Sequence, residues 1–133
     1  MKRLLLISTP FVLAACLAAP VLACGDEPMA ENLVIASRVK TALLSTYSAT
    51  HPGARGPLPG TFYGRWNGDT YAVARFELAG RERTVTFLRQ PRRAWRAVHE
   101  TAGTVCTYHV PLDLIRTWWL VHASGRCFAV GSS

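Results

Sequence analysis

The 133 residues leave room for one small domain and exclude a multidomain protein. A formal charge of +7, carried almost wholly by arginine, points to an acidic partner: envelope polymer, lipid headgroups, nucleic acid or an acidic protein. A GC-rich genome produces the same arginine bias with no partner involved.

At the N-terminus, Lys2 and Arg3 precede residues 4–22, which carry no charge. This is the layout of a secretory signal peptide. A spanning helix competes, because the run approaches the roughly 20 residues a bilayer core requires. Pro10 and Pro20 weaken that reading, as does the alanine-rich stretch 14–19. Val21 and Ala23 suit cleavage before Cys24, so residues 1–23 are expected to be a signal peptide and residues 24–133 one exported domain. Loss of Lys2 and Arg3 lowers the charge by two and leaves its sign.

Cys16 and Cys24 both follow small-residue boxes of the kind that precede a lipid-accepting cysteine. The better box lies before Cys16, but modification there leaves residues 17–23 as an apolar start. Cys24 has bulky Leu22 in its box, yet Gly25, Asp26 and Glu27 follow as a polar exit. Lipidation of Cys24 leaves Cys106 and Cys127 as a pair; any other choice leaves an odd thiol. A lipid on Cys24 is therefore favoured, the alternative being a secreted protein with a free or intermolecularly paired Cys24. The expected location is periplasmic or cell-surface, with membrane attachment through that lipid.

In the mature chain, Ile35, Val39, Ala42, Leu43 and Tyr47 recur at helical spacing opposite Ser37, Arg38, Thr41, Ser45 and Ser48. A helix over 24–49 follows, with Asp26 as N-cap, Pro28 in the first turn, and Glu27 and Glu31 at the positive end of its dipole. Residues 50–60, broken by Pro52, Gly53, Gly56, Pro57, Pro59 and Gly60, read as a loop. From Thr61 the period changes to two. Asn67-Gly68 marks one hairpin, Ala79-Gly80 a second turn and residues 90–93 a third, which divides 61–100 into four strands in meander order. Ala72, Ala74, Phe76 and Leu78 share one face with Val85 and Phe87; the opposite face is expected to be open.

Pro111 and Asp113 begin a second helix over 110–123, ended by Ser124-Gly125. Cys106 and Cys127 bracket it, and their bond closes a loop credited with roughly 3 kcal/mol. No Cys-x-x-Cys is present, so the bridge reads as structural. The fold class expected is α+β, an N-terminal helix and a disulfide-framed C-terminal helix packed on a four-stranded antiparallel meander.

Chemistry-bearing motifs are scarce. Glu77, Glu82, Glu100, Asp69 and Asp113 show no acid/base pairing. His51, His99, His109 and His122 are scattered, and Cys106-Thr107-Tyr108-His109 resembles half of a metal or thiol site without its second half. Nucleophile elbows, phosphate-binding glycine loops and zinc-protease helices are missing from the sequence. No catalytic residue, metal or cofactor is assigned, and an enzyme is not expected.

What remains is a set of arginines on the meander: Arg65, Arg75, Arg81, Arg83, Arg89, Arg92, Arg93 and Arg96. Guanidinium groups beside aromatic rings bind phosphate or carboxylate while the rings stack on sugars. The candidate binding set is Tyr63, Arg65, Tyr71, Arg75, Arg89, Arg92, Arg93, Trp95 and Arg96. Strand alternation that turns arginines to solvent accounts for the same pattern without a ligand.

Tyr71-Ala72-Val73-Ala74-Arg75-Phe76, then Val85-Thr86-Phe87-Leu88-Arg89, Trp95-Arg96-Ala97-Val98, Cys106 and Val110-Pro111 leading to Trp118 resemble a group of small exported bacterial proteins of uncharacterised function. The likeness covers about half the chain and implies architecture without activity or site residues. The expected function is non-catalytic binding at the envelope, foremost of another protein docked on the open sheet face. A basic module for anionic polymer or lipid headgroups is one alternative, and an inhibitor or immunity protein against a secreted hydrolase is another. Nucleic acid is the least accessible partner for an exported chain.

Overall fold

Two two-residue turns set the frame. Asn67 and Gly68 have φ of 49° and 83°, and Ala79 and Gly80 have 51° and 75°. Left-handed conformations at both central residues match the twist of the flanking strands. In this computed structural model, which describes residues 27–131, the turns join β2 (Phe62–Trp66), β3 (Asp69–Leu78) and β4 (Arg81–Arg89). The signal peptide, Cys16, Cys24 and the Asp26 cap lie outside the described residues.

A longer turn leads to β5 (Arg96–Thr101), which pairs with β4 through a bulge at Thr86/Phe87. These four strands pair in chain order, but within a five-stranded sheet, and the expected α+β fold of two helices on a four-stranded meander is overturned. The described residues are mostly β: eight strands in two antiparallel sheets, of five and three strands, with two short helices.

The helix expected over 24–49 is α1 (Ser37–Ser48) alone. Glu31–Asn32 forms β1 instead, opposite Arg65 and Gly64, and Leu33 N donates to the Tyr63 carbonyl at 2.9 Å. The free edge of β2 supplies partners that local sequence does not display.

The second helix is α2 (Leu112–Thr117), not 110–123. Trp119 takes φ 59°, which a helix cannot continue. Val121–Ser124 then becomes β7, joined by a turn at Gly125 to β8 (Cys127–Ala129), which also pairs with β6 (Thr104–Cys106). Cys106 and Cys127 are directly opposed in register and form a disulfide with Cα atoms 4.0 Å apart. The bridge therefore staples neighbouring strands.

Both faces of the large sheet are covered. Ala72, Ala74, Phe76, Val85 and Phe87 pack with Val39, Leu43 and Tyr47 of α1 and with Trp95. On the other face Tyr71 and Val73 pack with Val105, Val110, Leu114, Ile115, Trp118 and Val130. The expected open face is closed by α2 and the small sheet, since Tyr71 and Val73 are apolar surface that folding removes from water.

Gly64 lies at a close crossing. A Cβ there would sit 2.6 Å from both the Glu31 carbonyl oxygen and Leu114 Cδ1. Gly64→Ala is therefore expected to lose about 2 kcal/mol through overpacking, read as a lower urea midpoint; an unchanged midpoint would mean that β1 moves away freely.

Candidate anion-binding site

Register brings distant arginines together. Arg65 pairs with Thr70, and Thr70 pairs with Arg89, so the three form one row across β2, β3 and β4. Strand alternation puts this row on the face that carries α1, two residues beyond Tyr63, Ala72 and Phe87. The turn between β4 and β5 folds over its end, with Arg92 at φ 60°.

A hollow of about 290 Å³ results, bordered by Arg65, Gly68, Thr70, Arg89, Arg92 and Arg93. On the other side of Arg93 a hollow of about 390 Å³ is lined by Gln90, Ala94, Trp95 and Arg96. The Arg89 guanidinium lies 5.0 Å from the Trp95 ring centre, a cation–π contact that orients it. Tyr63 stands behind, its ring 6.2 Å from that of Trp95.

The charge at this end is poorly balanced. Arg65 meets Glu31 at 3.3 Å, with both side chains about half exposed. Among the described residues, ion pairs also engage Arg75, Arg83 and Arg116, and none involves Arg89, Arg92, Arg93 or Arg96.

The candidate set thus divides. Arg65, Arg89, Arg92, Arg93, Trp95 and Arg96 gather here, with Tyr63 supporting them. Tyr71 is buried under the small sheet on the opposite face. Arg75 is also buried and holds the 50–60 loop: Nη1 donates to Glu82 at 2.7 Å and Nη2 to the Pro59 carbonyl. Trp95 keeps 9% of its surface exposed, enough to pack under Arg89 but not to offer a broad stacking face.

Sequence reasoning missed a second polar group. Tyr47 Oη donates to Glu100 Oε1 at 2.9 Å, His51 Nε2 lies 3.5 Å from Glu100 Oε2, and Thr50 Oγ1 is 2.9 Å from His51 Nδ1. The order hydroxyl, imidazole, carboxylate resembles a nucleophile relay, but Thr50 and His51 are chain neighbours and neither arginine-lined hollow touches them. Burial first, then the Glu100 hydrogen bond, pushes the Tyr47 hydroxyl up to about 12. The group ties α1 to β5, and a residue separation of 53 explains why no motif announced it.

His99 of β5 and His109, in the turn that follows β6, stack with ring centres 4.2 Å apart. Burial, then the neighbouring His99 charge, lowers the His109 pKa. A depressed folded value means that the folded state binds this proton less readily than the unfolded chain. Stability is then expected to fall as pH drops from about 6.5 through the lower folded pKa, and to gain nothing further above 6.5. Urea midpoints at pH 7.5 and 5 should differ less in His109→Gln than in the native chain; an equal fall would assign the acid sensitivity elsewhere. No cluster of three His, Cys, Asp or Glu suited to a metal occurs among the described residues.

The chain matches no protein-family model, no curated protein and no solved structure.

Proposed function

We propose that the protein is a non-catalytic binding protein of the bacterial cell envelope whose arginine-lined end holds an anionic partner, a polymer bearing phosphate or carboxylate groups. The observation that carries this reading is the hollow where Arg65, Arg89, Arg92 and Arg93 converge with Glu31 as the neighbouring counter-charge. Like charges drawn to one concave site repel one another, and an anion placed among them removes that cost while accepting paired N–H donors. Thr70, buried in the middle of the row, lines the same hollow and adds a hydroxyl.

Protein recognition through an open sheet face loses its surface, because that face is packed.

Export belongs to the same proposal. The Cys106–Cys127 bridge supports an oxidising compartment. Intact mass of the native protein tests the lipid: a mass without acyl chains on Cys24 removes the anchor. For the site, titration with polyphosphate and with alginate at low and at raised salt is the direct experiment. Binding that falls steeply with salt supports the reading, and absence of binding to either polymer at low salt refutes it.

A further inference from the structure

The molecule carries a second unassigned surface, on the small sheet and α2. Trp119 is 89% exposed, and Val121 and Tyr108 are also largely in water. Every residue of β7 is exposed, and β7 is an edge strand without a charged residue or proline to protect it. Trp119 is held outward by a left-handed backbone, φ 59°, a conformation that disfavours bulky side chains. Leu112, Gly125, Arg126 and Phe128 border a shallow hollow of about 440 Å³ at the other, turn end of β7, where the Arg126 guanidinium lies 5.3 Å from the Tyr108 ring centre.

We infer that this edge, with Trp119 and Val121 at one end, Tyr108 and Leu112 at the other, and Arg116 and Arg126 at its rim, is a contact surface for an anionic lipid bilayer.

Charge complementarity selects that occupant. The rim is cationic apart from Asp113, which faces Arg116 at 3.9 Å in an exposed pair. A second copy would bring like charges together. The apolar groups stand on a hairpin edge, so a protein partner must supply a matching concave pocket, whereas a bilayer interface accepts protruding Trp and Tyr rings without one. Tryptophan and tyrosine favour the headgroup level, and arginines nearby pair with acidic lipids. Immersion stays shallow, because the unpaired backbone groups of β7 keep their hydrogen bonds to water or headgroups. The small sheet suits this contact mechanically, since the disulfide staples β6 to β8 and β7 pairs with β8.

The test follows Trp119 itself in the full chain, so attachment at the N-terminus cannot imitate the result. The difference in emission between the native protein and Trp119→Phe isolates this ring from the other three tryptophans. On phosphatidylcholine vesicles containing phosphatidylglycerol, that signal is expected to shift to the blue and to be quenched by brominated lipid. Both effects should disappear in Arg116→Gln/Arg126→Gln, while near-ultraviolet dichroism, dominated by buried Trp95 and Trp118, stays native. Trp119 emission unchanged on vesicles that carry the protein overturns the proposal. So does a blue shift that develops with protein concentration in the absence of lipid, which would assign the edge to self-association. The arginine hollow is not involved in this readout, so failure here leaves the polymer reading standing.

Discussion

Replacing Cys106 and Cys127 together with serine is expected to lower stability by about 3 kcal/mol, from the closed-loop entropy of a sequence separation of 21. The structural consequence should be local before it is global. The small sheet consists of strands of 3, 4 and 3 residues, too short to persist without side-chain packing. It contributes Val105 and Phe128 to the cover over Tyr71 and Val73. Loosening it uncovers that face of the large sheet, while the α1 face retains Val39, Leu43 and Tyr47. Urea unfolding with and without reductant measures the loss. Hydrogen exchange should show β6, β7 and β8 deprotected first in the double variant. Coincident midpoints in oxidised and reduced protein would show that packing alone holds the small sheet.

The second large effect concerns binding. Replacing Arg92 and Arg93 together with alanine is expected to weaken polyanion binding about a hundredfold at low ionic strength, about tenfold for each charge-assisted contact removed. The dependence of affinity on salt should flatten at the same time, because fewer counterions are displaced from the polymer. Arg92→Lys/Arg93→Lys keeps the charge and loses the paired-donor geometry, so it should fall between the two. Arg81 begins β4 at the opposite end of the sheet, where it pairs with Leu78. Arg81→Ala therefore serves as the control for net charge and should leave affinity within about twofold. Equal losses from Arg81→Ala and from the Arg92/Arg93 pair would reduce the site to diffuse charge and remove the case for a hollow.

Much of the central sheet was legible because its instructions are local. Asn67-Gly68 and Ala79-Gly80 specify turns within two residues, and period-two patterning selects the faces of β3 and β4. The candidate site was legible as residue types but not as a place. Arg65 and Arg89 meet through Thr70 because of strand register, while alternation sends Tyr71 to the opposite face and burial takes Arg75 into the core. A list of arginines holds no information about which side of a sheet they share once both sides are packed.

The sequence by itself determined the order of β2 to β5 and the turns between them, since turn chemistry needs no distant context, and it offered Cys106 and Cys127 as the pair that the structure bridges. Tertiary structure alone decided the helix limits, the small sheet and the second cover layer. Glu31–Asn32 and Val121–Ser124 are extended because strands remote in sequence offer them hydrogen bonds. Tyr71 and Val73 are covered because burying them releases water from apolar surface. Such gains arise between segments, and they override helical spacing read along one of them.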